Sequence, residues 1–230
     1  MVHIVNEPFQ VRPADLVGCR FRLRQRWAHP EIGPTPSGES RQAQLEAARE
    51  LVFAALPTKR AVGDGRRKAF VRVDLPPATT PTELLSRDAE TRAAMRRGAH
   101  LITRAVLCGT LEGIRVVDEI DVLVRTDDGY LPVIVSNHRV ARKDPESSTR
   151  MVPTGRLGLG KPLAVRAKPR HHTIDGYRLA MAELLLGESA TGLGASIGQD
   201  RERAYLGEVT RFVPPMLRAL GAPIPDCLLY

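Results

Sequence analysis

The chain has 230 residues, 43% hydrophobic but only 4% aromatic, which suits one ordinary domain with an aliphatic core. Its 34 Lys and Arg against 26 Asp and Glu leave a net charge of +8; arginine grips phosphate in a bidentate fork, so the balance fits a nucleic-acid partner, though a GC-rich genome alone produces the same composition. Three widely spaced cysteines, no secretory leader pattern over Met1–Glu7 and no apolar run approaching the roughly 18 residues of a membrane span lead to the expectation of a soluble cytoplasmic protein.

Pro13 to Leu23 reads as a short helix, followed by a Pro- and Gly-rich loop from His29 to Gly38. A helix is predicted from about Glu39 to Leu56, with Leu45, Ala48, Val52 and Ala55 on its buried face and Glu46, Arg49 and Glu50 toward one flank. Ala69 to Leu75 is a short strand. Thr80-Pro81-Thr82-Glu83 is a capping box with proline at the first helical position, and the helix it opens is predicted to continue, with an interruption, to about Ala105. Cys108, at the end of that apolar helix, reads as a core residue.

Arg115–Arg125 and Tyr130–His138 form a predicted hairpin around Asp127-Asp128-Gly129. Val140 to Gly160 is polar and Gly-rich and reads as a mobile loop. His171 to Leu186 includes an apolar helix, Gly192 to Gly198 a short strand, and Arg201 to Leu220 a helix broken by Pro214-Pro215. Helices around a small sheet give an α/β or α+β pattern within a single domain.

The first strand of the hairpin carries an acid where strands disfavour one: Asp121. Strict alternation puts Glu119, Asp121 and Leu123 on one face of it and Ile120, Val122 and Val124 on the other, with Ile134, Ser136 and His138 sharing a face of the second strand. A plain structural role for Asp121 would be an ion pair with Arg125 or Arg139 across the hairpin. Glu46 on a solvated helix face, and His100 and His138 as ordinary structural histidines, are the corresponding alternatives for those residues.

Read in order, several motifs resemble the RecB-type nuclease module of the PD-(D/E)XK superfamily. Asp15-Leu16-Val17-Gly18-Cys19 stands where a "D-L-x-x-C" segment opens such proteins. Glu46 matches the acid of the following helix, and Thr91 to Ala99 matches "T-x-x-A-M-x-x-G-A", with His100 next. Ile120-Asp121-Val122-Leu123-Val124-Arg125 matches "I-D-x-L-x-R", and Arg178 to Leu185 approximates "Q-L-x-x-Y-x-x-L-L". The resemblance implies a restriction-endonuclease-like α/β fold, with a small mixed central sheet flanked by helices, over residues 1–230. It implies a DNA nuclease of repair or recombination, hydrolysing phosphodiesters with Mg²⁺ or Mn²⁺. Asp121 and Glu46 would be catalytic metal ligands, with His100 a further ligand and His138 a stand-in for a missing catalytic group. Arg96, Arg97 and Lys161 would contact DNA.

The family's acid-x-lysine pair falls on Ile134 and Ser136, and its helix glutamine on Arg178. The resemblance therefore carries a second expectation: a catalytically degenerate relative that binds nucleic acid or a repair partner without cutting. Some relatives hold an iron–sulfur cluster through one early cysteine and three near the C-terminus. Cys19 and Cys227 would supply two of those four thiolates, and a cluster would need a cysteine-rich segment beyond Tyr230. His171 and His172 with Asp175 form a further small group with metal-ligand chemistry. Arg20, Arg22, Arg24 and Arg26 beside Trp27 form a basic edge able to meet a phosphate backbone.

Overall fold

The structure is a computed structural model that describes residues 10–18, 23–25, 28, 29, 32, 33, 35–58, 70–170 and 172–222. Cys19, Cys227, His171, Trp27, Arg20, Arg22 and Arg26 lie outside the described residues, and with them the expectations about the iron–sulfur ligands and most of the N-terminal basic edge.

Helix α1 spans Pro36–Ala55 and begins earlier than its apolar spacing suggests. Thr35 caps it by accepting from the Gly38 amide, and Pro36 occupies the first helical position, so residues with the composition of a loop form its first turn. Its buried face is Ala48, Val52 and Phe53, continued by Leu56 just past its end; Ala55 is exposed. Strand β1 (Arg72–Asp74) follows, then α2 (Pro81–Arg96). The predicted capping box is present, Thr80 accepting from the Glu83 amide and the Glu83 carboxylate from the Thr79 and Thr80 amides. Those amides hold the Glu83 carboxyl down at about 2.

The predicted continuation to Ala105 is overturned. Gly98, at φ 74°, ends the helix in the left-handed region, and Leu101–Leu111 is strand β2. Cys108 therefore lies in a strand, half-buried, with its thiol pushed up to about 11 by burial. The Glu112-Gly113 turn, both residues at positive φ, folds β2 back onto β3 (Ile114–Arg125). β4 (Tyr130–Val135) pairs with β3 through Val122↔Val133 and Arg125↔Tyr130, the hairpin expected from the sequence.

The polar stretch after Val140 is also more ordered than its composition suggests. It contains β5 (Ala141–Lys143) and β6 (Thr149–Pro153), and β7 (Leu163–Val165) and β8 (Ala167–Pro169) follow. Helix α3 is Thr173–Leu186 and β9 is Leu193–Ile197. The helix expected from Arg201 is instead strand β10 (Arg203–Glu208) and helix α4 (Val213–Gly221), which Pro214 and Pro215 start rather than break. The first helix is shorter than predicted, a 3-10 turn over Pro13–Leu16.

The fold is α/β. Eight strands form one mixed sheet in the order β1-β2-β3-β4-β9-β10-β6-β7, larger than the small sheet anticipated, and β5–β8 form a separate ribbon. β9 runs parallel to β4 because α3 makes the crossover between them. Helices α3 and α4 bury one face of the sheet through Ile102, Leu107, Ile120, Leu123, Met181 and Met216. α1 buries the other through Val52, Phe53, Val122, Val133 and Ile197. Nothing among the described helices is long and apolar enough to cross a membrane.

Candidate functional site

Strict alternation fails at Asp121. Ile102, Ala105 and Leu107 of β2 belong to one core, as do Val116, Ile120 and Leu123 of β3, whereas Leu101, Val122 and Val124 belong to the other. The side on which residues point therefore shifts by one position in both strands at the same level. Arg104, opposite Asp121, has φ 51°, and the ladder is intact on either side of it at Thr103↔Val122 and Ala105↔Ile120. A left-handed residue inside a strand rotates the chain and re-aims the side chains after it. Leu123 thus joins Ile120 rather than Asp121, contrary to simple alternation.

The same level is where β3 and β4 part. Their pairing stops at Val122↔Val133, and the Val135 amide instead donates to Asp121 Oδ2 at 2.6 Å. The carboxylate replaces a carbonyl as acceptor in the ladder. Asp121 is buried, 3% exposed, and an unpaired charge there would be costly. Two arginines meet it, one from each face of the sheet. Arg49 of α1 donates Nε to Oδ1 at 2.6 Å, and Arg178 of α3 donates Nη2 to Oδ2 at 3.1 Å. The plain structural role anticipated for Asp121 is an ion pair, but its partners come from distant helices and not from Arg125 or Arg139.

The network extends outward. Arg49 Nη1 also donates to Glu46 Oε2 at 3.2 Å, so one guanidinium bridges Glu46 and Asp121. Arg104 pairs with both Glu46 and Glu50. Arg178 donates to the Glu119 carbonyl at 2.7 Å. Burial pulls the Arg178 pKa down, but Asp121, Asp118 and Asp175 outweigh it and hold it above its ordinary value. Asp118 is the exception in the cluster. It is 2% exposed, and its Oδ2 has no hydrogen-bond partner among the described residues. Burial pushes its pKa up to about 8, Arg178 opposing and Asp121 and Glu119 adding to the rise.

The second strand's face is as expected but turns inward. Ile134 packs with Leu179 and Val209, Ser136 Oγ donates to Asp175 Oδ2 at 2.9 Å, and the His138 ring stacks on His172 at 3.9 Å. Two strand residues advance about as far as one helical turn, so β4 and its extension match Leu179, Asp175 and His172 in sequence along α3. Asp175 and His172 are thus engaged with β4 and its extension. His100 sits elsewhere: its Nδ1 accepts from the Val71 amide at 3.1 Å, and its carbonyl accepts from Arg125, about 13 Å along β3 from Asp121. Arg96, Arg97 and Lys161 are exposed.

The structure thus brings Asp121 and Glu46 together, joined through Arg49, and keeps His100 apart. As arranged, the cluster does not fit a divalent metal. Both oxygens of Asp121 face N–H donors, Arg49 and Arg104 take the Glu46 oxygens, and among the described residues no three His, Cys, Asp or Glu are placed to share an ion. Sequence reasoning missed Arg49, Arg104, Arg178 and Asp118 as members of the site. Two signals pointed to Arg49 and Arg178: the Glu46-x-x-Arg49 spacing, which puts both on one helix face, and an arginine in the position of the expected glutamine.

No protein-family model matches the chain, and no curated protein or solved structure shows significant similarity to it.

Proposed function

We propose that this chain is a nucleic-acid-binding relative of the RecB-type nucleases, in which arginine has taken over the charge-neutralising task of the metal. The single observation behind this reading is Arg49, whose guanidinium lies between Glu46 and Asp121 with Nε 2.6 Å from the Asp121 carboxylate. A guanidinium cannot lose its proton in a protein, so it is a permanent cation, and its fork suits two carboxylates. Displacing it would cost two charge-assisted hydrogen bonds at a half-buried position. Arg178 closes the carboxylate from the other face. Ile134 and Ser136, standing for the acid and the lysine, are turned to the interior, one in apolar packing and one on Asp175. The net charge of +8 supplies the attraction to phosphate.

A second reading, a Mg²⁺- or Mn²⁺-dependent DNA nuclease, draws on Asp118. This buried carboxyl beside Asp121 keeps an unpartnered oxygen, a third acid for a rearranged site. One experiment separates the two. End-labelled single- and double-stranded DNA are incubated with wild type and Asp121→Asn in Mg²⁺, Mn²⁺ or EDTA, with mobility shifts run in parallel. The proposed reading expects salt-sensitive binding and uncut DNA in every lane. Cutting that needs metal and disappears in Asp121→Asn would transfer the assignment to the second reading, and absence of any DNA binding would overturn the first.

A further inference from the structure

The β5–β8 ribbon stands beside the β6–β10 end of the main sheet and leaves a cleft of about 780 Å³ between them. Five cations line it: Arg139, Arg142 and Lys143 from β5 and its approach, Arg166 just before β8, and Arg203 from β10. Asp200 is the one acid in the lining. Of these five, only Arg203 has carboxylates of the described residues within ion-pair reach, Asp200 and Glu202, each at 3.9 Å. Arg139, Arg142, Lys143 and Arg166 are exposed and form no ion pair there. The contrast with Arg49 and Arg178 is one of pairing: those two are neutralised in place, whereas these four share a concavity with no ion pair, Arg142 feeling only the charge of Asp144 two residues on.

The scaffold holding them is firm. Val140 and Ala167 are buried and anchor the ribbon. The Arg170 amide donates to the Val140 carbonyl at 2.7 Å, Gln199 Nε2 donates to the Asn137 carbonyl at 2.7 Å, and the Gln199 amide donates to the His138 carbonyl. A Cβ on Gly198 would come within 2.9 Å of the His138 carbonyl and of Val140, so the turn at the cleft's end needs glycine for this close approach. Tyr205 lies two residues from Arg203 on β10, so both point into the cleft from one face.

We propose that this cleft binds single-stranded nucleic acid, with the cations on consecutive phosphates and Tyr205 as a stacking face for a base. The identity of the ligand rests on the nucleic-acid reading above; the cleft and its charge do not. Cations tracking a backbone with an aromatic beside them are what strand binding without sequence preference requires. A concavity of this size falls in the range that encloses a small ligand or a short stretch of strand, not the breadth of a duplex. Arg96, Arg97 and Lys161 are absent from its lining.

The test is fluorescence anisotropy of a labelled oligothymidylate, with ATP, pyrophosphate and a hairpin duplex as competitors, on wild type, Arg142→Glu, Arg166→Glu and the double variant. The changed side chains are exposed, and circular dichroism checks that each variant is folded. The expected result is at least tenfold weaker strand binding in the double variant. Losing two phosphate contacts should also make its salt slope shallower by about 1.4, at roughly 0.7 per contact for single strands. Strand binding that is equally tight in wild type and double variant overturns this inference and leaves the nucleic-acid reading standing. Binding of ATP or pyrophosphate but of no oligonucleotide, abolished by the charge reversals, overturns the strand assignment and the nucleic-acid reading together, leaving a free-nucleotide site. A hairpin that competes better than the strand overturns the single-strand preference.

Discussion

Arginine does two opposite jobs in this protein. Around Asp121 the guanidiniums of Arg49 and Arg178 lie within hydrogen-bond reach of a carboxylate that is almost wholly shielded from water. Along the cleft, Arg139, Arg142 and Arg166 are exposed and share their space with other cations. Pairing inside compensates burial, whereas crowding outside stores a demand for anions that a ligand can meet. The side chain is the same, and its surroundings decide whether it acts as structure or as a binding group.

If that contrast is right, removing an inner arginine is far costlier to stability than removing an outer one. The largest effect should come from Arg178→Met, which leaves Asp121 buried with one cation fewer; urea denaturation should show a loss of about 3–5 kcal/mol. Arg49→Gln should cost less, about 1.5–3 kcal/mol, because Arg178 and the Val135 amide still serve Asp121. At the other extreme, Arg142→Ala should change stability by no more than about 0.5 kcal/mol while weakening nucleic-acid binding. Equal losses at Arg178 and Arg142 would erase the distinction between the two regions.

Asp118 sharpens the comparison through pH. Its folded pKa, raised to about 8, exceeds the ordinary carboxyl value, so between those limits the folded chain holds a proton that the unfolded chain releases. Its effect on stability is therefore most favourable below about pH 4 and declines as pH rises to about 8. Asp118→Asn has no such proton to lose. The stability difference between Asp118→Asn and wild type should move in favour of the variant from pH 4 to 8, and a flat difference would mean that Asp118 is solvated rather than buried.

Much of the fold was legible in the residues. The Thr80/Glu83 box, the Asp127-Asp128-Gly129 turn and the short β9 run each carry a local signal, and each element forms as that signal indicates. Failures arose where local pattern is ambiguous or absent. Leu101 to Ala105 continues an apolar helix-like run, and only Gly98 marks the switch to a strand. The shift of facing at Arg104 has no glycine to announce it; it coincides with ion pairs from Arg104 to Glu46 and Glu50, which are distant in sequence. Within the site, Asp121 and Glu46 were identifiable by type, but Arg49 reaches Asp121 across 72 positions, a pairing no local spacing encodes. The cleft was invisible for a similar reason: its cations come from three separate stretches of chain, one of which has the composition of a loop.

The claim at the centre of this account is that Arg49 and Arg178 hold Asp121 closed to a divalent cation. Electron paramagnetic resonance of Mn²⁺ titrated into wild type, Asp121→Asn, Arg49→Ser and Arg49→Ser with Asp121→Asn tests it directly. Wild type should bind no Mn²⁺ at Asp121, so Asp121→Asn leaves the signal unchanged, and Arg49→Ser should gain a site that Asp121→Asn removes. Mn²⁺ bound by wild type and released by Asp121→Asn would contradict the claim.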